Sequence, residues 1–302
     1  MGTRLKDKAA LITGSSIGIG RAIALLMAEE GANLVVTGRN IEPLNQVVKE
    51  IEDRGAKVVA VQGDVSIKEE AESMVNAAVD SFGKIDILVN NAGFTRDRMI
   101  FNMTEEEWDA VLKVHLYGHF YCTRRACQIM RQQRSGRIIN MSSRVATGSL
   151  GQVNYVAAKA AILGFTFCVA RDMGRYGVTC NVIWPAAATR VTAATPEYLA
   201  TREKSATAGV QMAARVGEEL PDPECVAPIV LYLASDAAAD VNGQVFHSFG
   251  ADITHYSPIV PTKSVFASGD RWTLDELEAV FPSTLGKDLV NPAPPQPPKE
   301  KS

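Results

Sequence analysis

Short apolar runs alternate with longer amphipathic stretches over the first 250 residues of this chain. The runs at 9–13 (AALIT), 33–37 (NLVVT), 57–61 (KVVAV), 85–90 (IDILVN), 137–141 (RIINM) and 178–183 (VTCNVI) are rich in β-branched residues. They lack the apolar–polar alternation of a half-buried strand, so they read as strands covered on both faces. Each is followed by a stretch of helical length, such as 18–32 (GIGRAIALLMAEEGA) and 68–83 (KEEAESMVNAAVDSFG). Gly31, Gly55 and Gly83 fall where helices need a left-handed C-terminal residue. The segment 243–248 (GQVFHS) supplies one more strand. Strand–helix alternation at this spacing predicts an α/β fold: a doubly wound parallel sheet, helices on both faces, right-handed crossovers.

Two regions break the rhythm. Residues 186–220 are polar and Ala/Thr-rich, and they separate the sixth strand from a helix starting near Pro223. A long excursion there predicts a substrate lid. Residues 251–290 form an extension with one helix at 273–281, where Thr273 and Glu276 have capping-box spacing. Residues 291–302 (NPAPPQPPKEKS) read as a disordered proline-rich tail. The expected organisation is one catalytic domain over 1–250, the extension and the tail.

Composition narrows the function classes. With 46% hydrophobic residues in 302, the chain can build a large core. A formal charge of −3 gives nucleic acid no basic surface. Apolar runs read as broken by Gly, Pro or charge before membrane-spanning length, so no membrane is expected. The N-terminus enters a strand pattern directly, without a signal-peptide cleavage region, and a cytoplasmic location is expected. Five cysteines without a Cys-x-x-Cys pair predict neither a disulfide framework nor a zinc site. His119, His247 and His255 lack metal-ligand spacing and read as structural.

Residues at strand ends point to a dinucleotide. Gly14, Gly18 and Gly20 follow the first strand and open a helix. Such glycines let backbone approach a pyrophosphate while the helix N-terminus offers free N–H groups. After the second strand, Gly38–Arg39 stand where an acidic residue would hold ribose hydroxyls. A guanidinium there suits a 2′-phosphate, predicting NADP(H) over NAD(H). After the third strand, Asp64 is placed to accept from an adenine amino group, with the Val65 N–H beside it and Ser66 as helix N-cap. After the fourth, Asn90, Asn91, Ala92 and Gly93 line the expected crevice. Among the seven tyrosines, Tyr155 alone has a lysine four residues on, Lys159, one helical turn away.

The motifs TGSSIGIG (13–20), NNAG (90–93), NMSS (140–143) and YVAAK (155–159) occur in an order that resembles the short-chain dehydrogenase/reductase family over about residues 5–250. Within it, residues 90–120 resemble the 3-oxoacyl carrier-protein reductases, and still more the (3R)-hydroxyacyl-CoA dehydrogenase unit of peroxisomal multifunctional enzyme type 2. The resemblance implies a Rossmann-like oxidoreductase with Tyr155 as general acid/base and Lys159 as its partner. Counting from the strand makes Ser143 the catalytic serine; counting back from Tyr155 gives Ser142, and the strand-based count is preferred. Ser16 and Ile19 would meet cofactor phosphates, Pro185 the nicotinamide, and Thr189 or Thr192 its carboxamide. His115 stands where the family has asparagine, either as part of a water-linked proton relay or as a buried structural histidine. Arg96, Arg98 and Arg144 could meet the phosphates of a CoA ester or remain solvated. The implied substrate is a 3-hydroxyacyl/3-oxoacyl thioester; the alternatives are a steroid or other secondary alcohol, and a dinucleotide-binding regulator without turnover. A homodimer or homotetramer is implied, joined through helices near 106–132 and 153–174.

Overall fold

A computed structural model describes residues 2–189, 220–257, 261–268, 270–287 and 289. Most of the expected lid, with Thr192, and the whole tail lie outside the described residues. The chain divides into two compact units, Met1–Pro196 with Gly217–Tyr256, and Glu197–Val216 with Ser257–Ser302.

The first unit is built on one eight-stranded sheet in the order β3-β2-β1-β4-β5-β6-β7-β8. The strands are β1 (Ala9–Ile12), β2 (Asn33–Gly38), β3 (Val58–Gln62), β4 (Ile87–Asn90), β5 (Gly136–Met141), β6 (Val178–Ala186), β7 (Val245–Phe249) and β8 (Asp252–Tyr256). The first seven run parallel. β8 turns back antiparallel on β7, pairing Val245 with Tyr256, so the sheet continues beyond residue 250. Order reverses between β1 and β4, and the crevice at that reversal is where doubly wound sheets bind ligands.

Helices α1 (Gly18–Glu29), α2 (Ile41–Glu52) and α7 (Ala227–Ala234) cover one face, with Ile12, Leu34, Val36, Val89 and Ile183 beneath them. Helices α3 (Lys68–Phe82), α5 (Gly118–Gln133) and α6 (Val153–Gly174) cover the other, over Leu11, Val35, Leu88, Ile138 and Cys180. Each side chain of this size taken fully out of water contributes about 1.5–3 kcal/mol, which is why the central strands read as unbroken apolar runs.

A polar thread crosses this core. Asn90 Nδ2 on β4 donates to Thr123 Oγ1 on α5 at 2.9 Å and to Asn140 Oδ1 on β5 at 2.8 Å. Asn140 Nδ2 donates in turn to Thr166 Oγ1 on α6 at 2.9 Å. The thread ties the sheet to α6, which carries Tyr155 and Lys159, and to α5, which follows the turn holding His115.

Two sequence expectations change here. The N-cap of α3 is Ile67, which makes no side-chain cap bond. Ser66 is instead the donor in a tight turn, its N–H reaching Asp64 Oδ1 at 2.9 Å, so an aspartate-led turn takes the place of a serine cap. The second change concerns membrane-like composition. α6 runs 22 residues and contains an 18-residue window with a mean hydropathy of 1.6, enough by length and composition for a span. Its apolar residues serve two faces: one packs on the sheet around the buried Lys159, the other exposes Gly164 and Cys168.

In the second unit, α8 (Leu274–Val280) begins at a capping box in which Thr273 and Glu276 satisfy each other's backbone N–H.

Candidate active site

The glycine loop between β1 and α1 is held from below by hydroxyls. Thr13 Oγ1 accepts from Asn91 N at 3.0 Å and Ala92 N at 3.1 Å. Thr37 Oγ1 accepts from Gly14 N at 3.2 Å, and Ser15 Oγ accepts from Thr37 N at 2.9 Å. Asn91 Nδ2 donates to the carbonyls of Thr13 and Gly14, both at 3.0 Å, so its amide fastens the loop to β4. Gly18 has φ +57°, which favours glycine, and a Cβ there would meet only Thr189 Cγ2, at 3.8 Å. The N-cap Ile17 supplies no side-chain acceptor to α1, whose first turn contains Gly18, Ile19 and Gly20. Gly14 and Gly20 instead pack closely against Ala92 and Asn91, so the open space at Gly18 and the uncapped helix start are what fit the pyrophosphate of a dinucleotide.

At the end of β2, Ser16 Oγ lies 3.0 Å from where a Gly38 Cβ would sit, so Ser16 and Arg39 share one corner. Arg39 is exposed, its Nη1 3.8 Å from Asp64 Oδ2. Asp64 is thus partly engaged, by Arg39 and by its own turn. The Val65 side chain is buried against Gly118.

Tyr155, Lys159 and His115 come together, and Ser143 follows the end of β5 by two residues. The two serines have separate tasks. Ser142 is buried and its Oγ donates to the Lys159 carbonyl at 2.7 Å, holding α6 to β5. Ser143 Oγ accepts from Val145 N at 3.3 Å, which leaves its own proton available to donate elsewhere. Lys159 is 3% exposed, and its Nζ donates to the Met141 carbonyl at 2.6 Å and lies 5.4 Å from the centre of the Tyr155 ring. Burial pulls the Lys159 pKa down from 10.5 to about 7.

His115 reaches this cluster because the helix changes pitch. Between α4 (Glu105–Leu112) and α5, residues Lys113–Tyr117 form a π-turn, an irregularity frequent at functional sites. The ring meets Tyr155 edge-on, centroids 5.1 Å apart, and Nε2 lies 2.7 Å from the Phe94 carbonyl oxygen. Burial, then the Lys159 charge, holds the His115 pKa well below 6.5. Gly93 admits the ring: a Cβ there would sit 2.1 Å from His115 Cε1. Pro185 lies in β6 opposite Ser248, and Thr189 ends the described stretch after that strand.

Asn154, immediately before Tyr155, was not among the sequence candidates. It is fully buried, and its Nδ2 donates to the carbonyls of Arg96 at 2.9 Å and Glu107 at 3.0 Å. It thereby fixes the loop after β4 to α6. Glu107 completes a capping box with Thr104 and binds Arg98 Nε at 2.7 Å. The T-x-x-E spacing at 104–107 could have revealed that box. Arg98 thus pairs with a carboxylate through Nε while its side chain stays half exposed. Arg96 lies over the Phe94 ring at 5.2 Å, and Arg144 near His247, whose pKa is lowered by burial and then by that guanidinium.

The short chain dehydrogenase family model matches residues 8–202. The chain is 43% identical over 298 residues to hydroxyacyl-CoA dehydrogenase ChsB1 of Mycobacterium tuberculosis, covering 92% of this chain and 89% of that protein. It is 40% identical over 245 residues to the 3-oxoacyl-[acyl-carrier-protein] reductase FabG of Staphylococcus aureus, covering 80% and 97%. A short chain dehydrogenase crystal structure from Mycobacterium avium matches with a TM-score of 0.81 at 38% identity, over 94% of this chain and 96% of that one.

Proposed function

The chain belongs to the short-chain dehydrogenase family, oxidoreductases that use a nicotinamide dinucleotide, and we propose that it interconverts 3-hydroxyacyl and 3-oxoacyl thioesters with NADP(H) preferred. The observation that carries the chemistry is the buried Lys159 ammonium beside the Tyr155 ring. The thioester assignment is supported by the names of the two relatives.

The dinucleotide, when bound, supplies or receives the hydride. Gly14, Ser16, Gly18, Ile19 and Gly20 would hold its phosphates; Asp64, Val65, Ala92 and Gly93 would border the adenosine; Pro185 and Thr189 would lie at the nicotinamide. In the reducing direction Tyr155 gives its phenolic proton to the substrate oxygen, and in the oxidising direction it takes that proton back. An unassisted phenol has a pKa near 10. The Lys159 ammonium one turn away favours the phenolate and brings that acidity toward the working range. Ser143 donates to the same oxygen as charge develops on it.

The preference for NADP(H) is supported by Arg39 at the end of β2, where no carboxylate from that strand would repel a 2′-phosphate. Self-association is supported by exposed apolar groups on adjoining helices. Tyr117 at the end of the π-turn and Phe120 in the first turn of α5 stand exposed, and a Cβ at Gly164 on α6 would meet nothing within 4 Å. Such a face suits a second copy of the chain.

The test is NADPH absorbance decay with acetoacetyl-CoA, run beside NADH and a panel of steroids and simple ketones. Turnover of the thioester far above the panel supports the assignment. Preference for a steroid or simple ketone overturns the substrate class, and dinucleotide binding without any turnover overturns catalysis.

A further inference from the structure

The exposed faces of α5 and α6 change character along their length. On α5 the stripe opens with the apolar Tyr117 and Phe120 and ends at Arg131. On α6, Gly164, Cys168, Arg171 and Arg175 follow one another at helical spacing, and all four are exposed. Both helices end at a cavity of about 470 Å³ lined by Arg131, Arg171, Asp172, Met173, Arg175 and Tyr176. Three guanidiniums converge there on the Tyr176 ring: Arg175 at 4.9 Å, Arg134 at 5.2 Å and Arg131 at 6.0 Å from its centre.

Helix ends account for part of this charge. A last turn favours cations, and Arg131 and Arg171 lie in the last turns of α5 and α6. Arg134 and Arg175 add two more cations at the caps of the same helices. Among the described residues, no carboxylate lies within ion-pair distance of any of the four. Asp172 is the single acidic side chain of the lining. Arg171 Nη1 donates to the Phe167 carbonyl at 3.1 Å and Arg175 Nη2 to the Tyr176 hydroxyl at 2.7 Å, which leaves most of their five N–H donors unspent. Four cations against one carboxylate, with donors to spare, suit a ligand that carries several phosphates.

Tyr155 and Lys159 of the same copy stand at the other end of α6, a helix of 22 residues and so about 33 Å long. A second copy brings the cavity to a site. Gly164 lies at the midpoint of α6, where an added Cβ would meet nothing within 4 Å. With a two-fold axis there, α6 runs antiparallel to its counterpart and Arg175 falls opposite the partner's Val153. Tyr176 and Arg134 then lie past the start of that helix, on the side of the partner's Leu150. Tyr155, nine residues before Gly164, faces the crevice on the far side of α6. The pantetheine arm of CoA is longer than a helix is wide, roughly 10–12 Å, and can carry the phosphates around that end. We propose that the arginine cavity binds the phosphates of a CoA thioester whose reacting carbonyl sits in the active site of a second copy of the chain. The inference rests on the thioester reading of the active site and on pairing through α5 and α6.

The test is the double variant Arg131→Ala, Arg175→Ala, assayed with acetoacetyl-CoA and with acetoacetyl-N-acetylcysteamine, which keeps the thioester but has no phosphate. KM for the CoA ester should rise about tenfold and lose most of its dependence on salt. kcat, and KM for the short thioester, should stay within about twofold of wild type. Should the double variant fail to fold, Arg175→Ala alone, at an exposed position, should still raise KM for the CoA ester about threefold. Mixing the arginine variant with Tyr155→Phe shows which copy the cavity serves. The Tyr155→Phe copy keeps its arginines, so after subunit exchange a mixed dimer holds one complete site, and a low-KM activity that neither parent shows should appear. An unmoved KM for the CoA ester, equal rises with both substrates, a mixture without the low-KM activity, or a protein that sediments as a monomer overturns the inference. The short thioester separates the two failures. Wild-type protein that reduces neither it nor the CoA ester defeats the thioester reading, whereas turnover of both with an unmoved KM in the double variant defeats the arginine site alone.

Discussion

Replacing Gly93 with alanine tests how the site is assembled by adding a single methyl. Gly93 is not among the residues with positive φ, so alanine suffers no backbone penalty and the effect is steric. The new Cβ would lie 2.1 Å from His115 Cε1, 2.9 Å from Nδ1 and 3.0 Å from Nε2. Carbon atoms settle roughly 3.5–4.0 Å apart, so ring and loop must separate by about 1.5 Å. The ring has little room to retreat, being 1% exposed, bonded to Phe94 and packed edge-on against Tyr155. Overpacking of this kind costs about 1–3 kcal/mol. At about 2–4 °C per kcal/mol for a large domain, Tm should fall by about 2–12 °C. The aromatic contact that orients Tyr155 is worth about 0.5–1.5 kcal/mol, so kcat should drop up to about tenfold. The assay is a double-mutant cycle of Gly93→Ala and His115→Ala, read by thermal melts and NADPH-linked rates. Because His115→Ala vacates the space, the double variant should be more stable than the sum of the singles by about 1–2 kcal/mol. Additivity within about 0.5 kcal/mol, or a Gly93→Ala protein with the wild-type Tm, would refute the steric argument.

Three further outcomes can be checked. Lys159 has a pKa of about 7 in the fold against an ordinary 10.5, so on raising pH the native state releases its proton first and the unfolded chain holds more between those values. Stability of the cofactor-free protein should therefore rise from pH 7 toward pH 10, and Lys159→Met should flatten that slope, raise Tm at pH 7 and abolish turnover; a wild-type profile with no such rise counts against the buried ammonium. Asn154→Ala leaves the Arg96 and Glu107 carbonyls without their buried donor, at about 1–3 kcal/mol each, so Tm should fall and KM for the thioester should rise; a change in neither would show that the loop needs no tether. Arg39→Ala removes a charge-assisted contact of about 1.5–3 kcal/mol, so KM for NADPH should rise roughly tenfold or more while KM for NADH stays within twofold, and equal effects on both would remove the 2′-phosphate argument.

The sheet was legible because its central strands are buried on both faces, and a run such as ILVN at 87–90 has few other ways to be satisfied. β8 escaped because it is an edge strand: Asp252–Thr254 and His255 are exposed, and DITHY lacks the apolar signature of the interior. The π-turn escaped for another reason. A periodicity of 3.6 treats 105–133 as one helix, whereas one irregular turn sets which side chains face inward and delivers His115 to Tyr155. Sequence spacing also left Ser142 and Ser143 both in play. Hydrogen bonding separates their positions, since the Ser142 hydroxyl is spent on the Lys159 carbonyl. Asn154 gave no signal because its work is done by contacts with residues up to 58 positions away, which no local pattern records.

The amide–hydroxyl chain through Asn90, Thr123, Asn140 and Thr166 bears on how this scaffold can be altered. Its links pair unlike groups across four elements, so no single apolar replacement can be neutral: each would strand a donor or acceptor in the dry interior. Replacing neighbours together, with shape preserved, lifts that restriction. Efforts to harden the enzyme against heat should therefore change these residues as a set or leave them all in place.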